Sequence, residues 1–271
     1  MTTKTFAPVS VIIPCYRCIS TIHRAIESVI AQTQKPTEVI LVDDASGDET
    51  LAVLREFEQQ YPDWIKVIAL TENQGAASAR NAGWAVASQP YIALLDSDDS
   101  WHPQKIEIQY AYMKAHPEVV LCGHSYYFLD ETLPPFLPND ARCIGKTKLL
   151  LSNPFVTPSV MIRSSIPFRF MSGQRYVDDH LLWMQVALAD LKVVKLMLPL
   201  VKIYKGLYGE TGLSSHLWAM ESSELQNYIH IYNTQGIGLS ALIFLEAYSL
   251  IKYLRRLVIV GAKKVVAFLG T

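Results

Sequence analysis

The fold is decided by the stretch Tyr91-Ile92-Ala93-Leu94-Leu95-Asp96-Ser97-Asp98-Asp99, an apolar run that ends in three carboxylates within four residues. Turn signals on both sides, Gln89-Pro90 and Pro103, predict that the run is a short buried strand. In an open α/β sheet, ligands bind beyond the carboxyl ends of the strands, where these acids would lie. The residues alone leave a second interpretation open, in which the acids are turn and N-cap residues before the next helix.

The three carboxylates of this stretch also form a candidate metal site. Clustered carboxylates raise one another's pKa unless a cation lies between them. Mg²⁺ or Mn²⁺ suits such a cluster, because these hard ions are held by one or two carboxylates together with the phosphates of a substrate. The stretch therefore predicts a divalent cation and a nucleotide at this strand end.

Composition excludes several classes of function. The chain has 271 residues, with 24 Lys and Arg against 25 Asp and Glu, and its net charge of −1 gives no overall attraction to nucleic acid. Although 50% of the residues are hydrophobic, no stretch reaches the roughly 18 uninterrupted apolar residues of a membrane-spanning helix. The first eight residues lack the apolar core of a signal peptide, so we expect a cytoplasmic protein.

The four cysteines fit a reducing compartment. Only Cys15-Tyr16-Arg17-Cys18 has close spacing, and it superficially imitates a thioredoxin-like redox motif. The chain is far longer than one such domain, and it has no second Cys/His pair at zinc spacing. A redox or zinc role is therefore a minor alternative.

Strands and helical patterns alternate along the first hundred residues. This alternation indicates βαβ units, and hence an α/β fold with a largely parallel sheet and right-handed crossovers. The predicted strands are 9–13, 38–42, 65–69, 91–95, 119–128, 155–163 and 193–204, the predicted helices are 19–33, 49–61, 76–87, 105–116, 177–189 and a tail from 225, and residues 133–139 form a proline-rich loop.

Five motifs follow one another at characteristic spacing. They are Val9-Ser10-Val11-Ile12-Ile13-Pro14-Cys15-Tyr16, Val42-Asp43-Asp44-Ala45-Ser46-Gly47-Asp48, Asn73-Gln74-Gly75 with Ala79-Arg80-Asn81-Ala82-Gly83, Asp96-Ser97-Asp98-Asp99, and Asp178-Asp179-His180-Leu181-Leu182-Trp183. Together they resemble family 2 glycosyltransferases, over residues 9 to about 215. The resemblance implies a GT-A fold, a Rossmann-like sheet flanked by helices. It also implies transfer of a sugar from a nucleotide diphosphate donor with inversion at the anomeric carbon.

The resemblance assigns the nucleotide pocket. Pro14 and Tyr16 become part of it, Asp43 accepts a hydrogen bond from the base, and Asp44 supports that turn. A carboxylate suits uracil, whose N3–H is a donor, so the resemblance favours a UDP-sugar.

The resemblance also implies phosphate and metal contacts. Arg80 matches a basic residue near the nucleotide, where a guanidinium can bind the diphosphate. The alternative for Arg80 is a salt bridge to Asp43 or Asp96. Asp96 falls where the family contacts ribose and metal, Ser97 follows in the same nucleotide site, and Asp98 falls where the family ligates the metal directly. The implied cofactor is Mg²⁺ or Mn²⁺, and Asp99 has no implied role.

The pair Asp178-Asp179 matches the acidic pair whose second member is the family's general base. Asp179 is therefore the implied catalytic residue, taking the proton of the acceptor hydroxyl, and Asp178 supports it. The alternative is that both acids merely cap the dipole of the helix that they open.

Several residues depart from the family pattern. Arg17 stands where Asn is usual, and Asp178 replaces the usual Glu. Lys205 stands for Arg, the segment 212–215 only loosely matches a pattern that closes over the phosphates, and His216 comes late. The segment from Lys205 to His216 is therefore a weak match to the family pattern that closes over the phosphates.

The tail from Leu239 to Leu269 is apolar and basic. Positions 252, 255, 256 and 263, all Lys or Arg, share one face of a helix, opposite an apolar face. Such a helix fits an anionic membrane surface. It equally fits a terminal helix packed on the catalytic domain.

These expectations combine into one organisation. Residues 1–220 form the GT-A catalytic domain, with a nucleotide-binding half to about 103 and an acceptor-binding half from about 104, and residues 221–271 form a helical extension. The acceptor is a glycan or a lipid-linked sugar, by family analogy, at the cytoplasmic face of the inner membrane. An inactive relative that serves as a scaffold is the alternative, and a dinucleotide-dependent oxidoreductase is disfavoured because no G-x-G-x-x-G follows the first strand.

Overall fold

The structure is a computed structural model that describes residues 6–128, 140–204 and 216–269, with side chains up to residue 260. Its strands are β1 (Ala7–Cys15), β2 (Pro36–Asp43), β3 (Ile65–Ala69), β4 (Tyr91–Leu94), β5 (Ser100–Trp101), β6 (Val119–Phe128), β7 (Ala141–Cys143), β8 (Met161–Arg163) and β9 (Lys192–Ile203). Its helices are α1 (Ile19–Ile30), α2 (Thr50–Gln60), α3 (Ala76–Val86), α4 (Lys105–Ala115), α5 (Lys146–Leu151), α6 (Asp178–Leu188), α7 (Leu217–Gln235) and α8 (Leu239–Leu269).

The strands form one mixed sheet in the order β3-β2-β1-β4-β8-β6-β9-β5, with β7 paired to β9. In the first half, β1 is parallel to both β2 and β4, and β3 is parallel to β2. This half is the parallel sheet that the βαβ alternation predicts. The short strand β8 is antiparallel to both β4 and β6, so it joins the parallel half to the second half.

Two hydrophobic layers cover the sheet, because side chains alternate between the faces of a strand. Val9, Val11 and Ile13 of β1 pack on one face, in the layer that contains α1 and α4. Ile12 lies on the opposite face, in the layer built by α3, α6 and α7. The parallel strands are buried on both faces, which explains their nearly continuous apolar sequences.

One glycine lets α3 approach the sheet closely. A Cβ added to Gly83 would lie 2.6 Å from the Ile12 side chain and 3.2 Å from that of Val42. Helix α3 also carries Arg80, whose guanidinium contacts Asp96 just after β4.

One sequence-based prediction of secondary structure is wrong. Residues 155–163 are not one strand: Thr157–Ser159 form a 3₁₀ turn and only Met161–Arg163 pair in the sheet. Pro158 explains the break, since proline lacks the N–H that a central strand needs. The prediction of a helical tail is confirmed, with the tail divided into α7 and α8. Gly236, which follows α7, has a φ of +69°, the left-handed conformation common after a helix.

The proline-rich segment 133–139 lies outside the described residues. Within the described part of the chain, no helix combines the length and the apolar character needed to cross a bilayer.

Candidate active site

The implied site residues converge on one edge of the sheet. Tyr16 follows β1, Asp43 ends β2, and Asp96 follows β4, and these three strands are adjacent and parallel. Their carboxyl ends therefore open on the same crevice, which is where α/β sheets bind their ligands. Pro14 is buried within β1, whereas Tyr16 is exposed beyond it.

Hydrogen bonds join the loops after β1 and β2. The Ser46 hydroxyl donates to the Asp43 carboxylate and accepts a hydrogen bond from the Arg17 backbone N–H at 3.1 Å. The Arg17 side chain donates to the Ser46 carbonyl oxygen, also at 3.1 Å. Arg17 has a φ of +47°, a region where Asn is tolerated better than Arg. Its two bonds to Ser46 offset this strain, which is how the loop accommodates Arg where the family usually has Asn.

Asp44 organises the next loop rather than facing the crevice. Its buried carboxylate accepts hydrogen bonds from the backbone N–H groups of Gln74 and Gly75, each at 2.8 Å, and from the Asn73 amide at 2.9 Å. This is the supporting role that the sequence predicts for Asp44. Helix α3, which contains Arg80, begins directly after Asn73-Gln74-Gly75. By holding this loop, Asp44 fixes the start of the helix that positions Arg80.

Arg80 joins two of the acidic motifs. One terminal nitrogen lies 2.8 Å from Asp96 Oδ1 and the other 2.9 Å from Asp178 Oδ2. Burial would lower the pKa of Arg80, but the charges of Asp96 and Asp178 raise it above its usual value. Of the alternatives from sequence, the salt bridge to Asp96 is therefore the contact that forms. The pairing with Asp178, 98 residues away, was not predicted.

The acids that follow β4 repel one another. Burial, followed by the charges of Asp96 and Asp98, raises the pKa of Asp99 to about 8. Burial also raises the pKa of Asp96, and Asp98 adds to the rise while Arg80 opposes it. Arg24 of α1 donates to the Asp98 carbonyl oxygen and stacks on the Tyr204 ring at 3.5 Å, which ties this loop to α1 and to the end of β9.

This donor set fits a divalent cation. Its carboxylate oxygens are hard ligands, and the raised pKa values of Asp96 and Asp99 reflect buried negative charge that a cation would compensate. Among the described residues, no three His, Cys, Asp or Glu side chains form a ready-made metal cage. The arrangement thus suits an ion held by one or two carboxylates together with oxygens of a bound diphosphate.

Asp179 lies at the start of α6, and both partners of its Oδ2 come from outside the helix. Its Oδ2 accepts hydrogen bonds from the Asn153 amide at 3.0 Å and from the Thr157 hydroxyl at 3.2 Å. Its Oδ1 accepts the neighbouring His180 N–H at 2.7 Å. A carboxylate has about four acceptor positions, so these three bonds leave Oδ1 able to accept one more. Helix capping alone would need neither Asn153 nor Thr157.

Asp178 is nearly buried beside Arg80. Burial, only partly opposed by the guanidinium and reinforced by Asp179, raises the pKa of Asp178 to about 6. The ion pair with Arg80 fixes the Asp178 side chain. Because Arg80 lies on α3 and also pairs with Asp96, it connects the first turn of α6 to α3 and to the end of β4.

His180 anchors the same helical turn from below. Its Nε2 faces the Leu149 carbonyl oxygen at 2.6 Å and its Nδ1 faces the Glu224 carboxylate at 3.2 Å. Both neighbours are acceptors, an arrangement that favours the protonated ring, in which both nitrogens donate. Burial lowers the pKa of His180, yet Glu224 raises it overall, and the His180 charge lowers the pKa of Glu224 to about 2.

Helix α7 therefore supports the segment that presents Asp179. Asn227 of α7 donates to the Val177 carbonyl oxygen at 2.9 Å, and the Tyr228 hydroxyl donates to Glu224 at 2.9 Å. Asn153, Thr157 and Glu224 belong to no motif and were not predicted from the sequence. Glu224 is buried in α7, but its burial is visible only in the structure.

The implied phosphate contacts late in the sequence are only partly described. Lys205 and residues 212–215 lie outside the described residues. His216 precedes α7, with its ring centroid 6.1 Å from that of Tyr176.

Comparison with models of protein families tests the family resemblance that the motifs indicate. The family model described as "Glycosyl transferase family 2" matches residues 10–176, more than half of the chain. The chain belongs to glycosyl transferase family 2. The family match includes the ends of β1, β2 and β4, but it ends before the Asp178-Asp179 pair of α6.

Known glycosyltransferases resemble this chain over different spans. The amylovoran biosynthesis glycosyltransferase AmsE of Erwinia amylovora is 30% identical over 194 residues, 68% of this chain and 71% of AmsE. WfaP of Escherichia coli, a UDP-Glc:alpha-D-GlcNAc-diphosphoundecaprenol beta-1,3-glucosyltransferase, is 37% identical over 125 residues, 45% of this chain and 47% of WfaP. The match to EpsE of Bacillus subtilis covers 66% of EpsE. The chain thus spans about half to two thirds of the length of several relatives.

Solved structures confirm the GT-A fold of this family 2 member. The S. aureus TarS 1-349 structure in complex with UDP-GlcNAc has a TM-score of 0.69 at 19% identity, covering 92% of this chain and 72% of that one. The mannosyltransferase PcManGT from Pyrobaculum calidifontis, in complex with GDP-Man and Mn2+, has a TM-score of 0.65 at 17% identity, covering 95% and 76%.

Proposed function

We propose that the protein is an inverting glycosyltransferase that moves a sugar from a nucleotide diphosphate donor to a hydroxyl group of a glycan or lipid-linked acceptor. The observation that carries this proposal is the convergence of Asp96, Arg80 and the Asp178-Asp179 pair on one crevice. A scaffold would have no use for buried acids that repel one another, because such a cluster costs stability unless a ligand compensates it. The proposal therefore favours catalysis over binding alone.

The reaction we propose is a single in-line displacement. Asp179 Oδ1 takes the proton of the acceptor hydroxyl while that oxygen forms a bond to the anomeric carbon of the donor. The bond from this carbon to the diphosphate breaks, and the nucleoside diphosphate leaves. Asn153 and Thr157 hold the other carboxylate oxygen, so that Oδ1 keeps its direction toward the acceptor.

The proposed donor is a UDP-sugar, with Pro14, Tyr16, Asp43 and Ser97 lining the nucleotide site. Asp98 and Asp96 would hold Mg²⁺ or Mn²⁺, which would neutralise charge on the leaving diphosphate. Because both terminal nitrogens of Arg80 already pair with carboxylates, we propose that Arg80 positions Asp96 and Asp178. The diphosphate contact that the resemblance implies for Arg80 stays a proposal beside this role, because two ion pairs use only two of the five N–H donors of a guanidinium.

The names of two relatives support the proposed acceptor class. AmsE is named for amylovoran biosynthesis and WfaP for transfer to a sugar on diphosphoundecaprenol. We therefore propose a role in cell-surface polysaccharide biosynthesis, with a peripheral position at the cytoplasmic face of the inner membrane. In this division of the chain, residues up to about 220 form the catalytic domain and the remainder is a helical extension.

A thermal-shift screen of nucleotide diphosphate sugars tests the donor assignment. A ligand that binds only the folded state raises the melting temperature. At a concentration 100 times its Kd, it adds about 2.7 kcal/mol to the free energy of unfolding. We expect UDP-sugars to raise it more with Mn²⁺ than without, and GDP-sugars to have a smaller effect. No shift with any nucleotide sugar in the presence of Mn²⁺ would contradict the proposed function.

A further inference from the structure

Helix α8 turns an apolar face to the outside. We define this apolar face of α8 by Ile243, Phe244, Leu250, Ile251, Leu254 and Val258, all exposed. At about 100° per residue, these positions fall within one sector of the helix and extend for roughly 23 Å along it. Ile251, Leu254 and Val258 are 64%, 60% and 72% exposed. Contiguous apolar surface of this kind marks an interaction site.

The opposite face of α8 packs on the protein and carries two of its basic residues. Lys252 donates to the Leu151 carbonyl oxygen of α5 at 2.9 Å, and Arg256 lies 3.5 Å from the buried carboxylate of Glu221. The expectation that the basic face meets the membrane is therefore wrong for Lys252 and Arg256. Both are drawn inward because Glu221 and Glu224 of α7 are buried and need nearby positive charge.

We propose that the apolar face of α8 docks on an anionic lipid bilayer, with the helix lying in the plane of the interface. The proposal extends the membrane location proposed above. Its evidence, however, comes from the exposed surface and not from the catalytic site.

Charge selects a bilayer over a second copy of the chain as the occupant. Helix α8 contains five Lys or Arg and one acid, Glu246. Lys252 and Arg256 compensate acids of α7, and the other charged residues in the sequence of α8 are Arg255, Lys263 and Lys264 against Glu246. Two copies facing each other through α8 would bring like charges together, whereas anionic lipid headgroups attract them. Arg255 is exposed beside the apolar face, where it could reach such headgroups.

Aromatic side chains extend this surface onto α7. Trp218 is exposed, and its ring packs edge-on against Tyr253 of α8 with centroids 5.7 Å apart. Trp and Tyr favour the boundary between apolar and aqueous regions of a membrane. A helix that is amphipathic in this sense lies on a bilayer instead of crossing it.

A chain of hydrogen bonds connects α8, which carries the docking surface, to the helix that carries the proposed base. Lys252 of α8 bonds to Leu151 of α5, and the Leu149 carbonyl oxygen of the same short helix accepts from His180, next to Asp179. These contacts connect the inward face of α8 to the helical turn that presents Asp179.

Vesicle flotation of the full chain tests the proposal. Phosphatidylglycerol–phosphatidylethanolamine vesicles at low salt should bind the parent, and phosphatidylcholine vesicles should bind it less. The triple variant Ile251→Gln, Leu254→Gln, Val258→Gln should bind anionic vesicles about tenfold more weakly or worse, because these side chains lose their apolar contact. Arg255→Gln should weaken anionic binding about fivefold and leave phosphatidylcholine binding unchanged.

A matched control changes three exposed apolar residues elsewhere: Phe6→Gln, Val86→Gln and Met197→Gln, which should bind vesicles like the parent. If the triple variant does not fold, Val258→Gln alone should still weaken binding. UDP and Mn²⁺ should shift the melting temperature of parent and folded variants equally, so failure of donor binding is distinguished from failure of docking. Two results would overturn the proposal: no affinity of the parent for anionic vesicles, or a concentration-dependent dimer that the triple variant abolishes without any loss of vesicle binding.

Discussion

Replacing Asp179 with Asn is expected to lower sugar transfer about 100-fold or more while donor affinity stays within about threefold. Asn has the shape of Asp, and its carbonyl oxygen can keep the hydrogen bonds from Asn153 and Thr157. It cannot accept the proton of the acceptor hydroxyl. The loss should therefore fall on kcat, measured with saturating donor, and not on the Kd of the donor measured by calorimetry.

Asp178→Asn is the matched comparison, since it makes the same chemical change one residue earlier in the same turn. That variant breaks the buried ion pair with Arg80, so it should lower the melting temperature as well as transfer. If Asp179→Asn instead lowered stability and donor binding together, Asp179 would be a structural cap and the general base would have to be another group.

Replacing Asp98 with Asn is expected to weaken Mn²⁺-dependent binding of UDP about tenfold or more. Substituting residues that merely orient metal ligands already costs 10- to 100-fold in affinity, so a direct ligand should cost at least as much. Without metal, the variant should be as stable as the parent or more so, because one of three repelling carboxylates becomes neutral. Calorimetric titration of UDP with and without Mn²⁺ measures the first effect, and thermal melts measure the second.

Asp63→Asn serves as the control for this change, because Asp63 is exposed in the turn after α2 and far in sequence from the acid cluster. It should alter neither binding nor melting. An Asp98→Asn protein that bound UDP and Mn²⁺ like the parent would remove Asp98 from the metal site.

The sequence predicts the parallel half of the fold and the strand ends well, for a physical reason. Apolar strands buried on both faces leave a continuous signal, and the polar residues that end them are confined to one edge of the sheet. This regularity is enough to place Asp43, Asp96 and Asp98 at the same edge from the order of the strands alone. The prediction for 155–163 failed because the apolar composition of the segment outweighed Pro158, which bends the chain into a 3₁₀ turn.

Partners distant along the chain could not be predicted in the same way. Periodicity identifies the two faces of α8, but which face packs inward depends on Glu221 and Glu224 of another helix. Likewise, the charge of Arg80 identifies it as a ligand for some anion, whereas the choice of Asp96 and Asp178 follows from where α3 and α6 meet. Asn153 and Thr157 belong to no motif, and only the packing around α6 reveals their contact with Asp179.

The configuration of the newly formed glycosidic bond tests the central claim most directly. The protein is incubated with Mn²⁺, a UDP-α-linked sugar and a synthetic lipid diphosphate that carries a sugar, and the product is analysed by proton NMR. The account predicts a β-linked product with one UDP released per sugar transferred, and both product and UDP formed about 100-fold more slowly, or slower still, with Asp179→Asn. A product that retains the α configuration would contradict the single displacement by Asp179, and the absence of transfer from every UDP-sugar that binds would contradict the proposed glycosyltransfer.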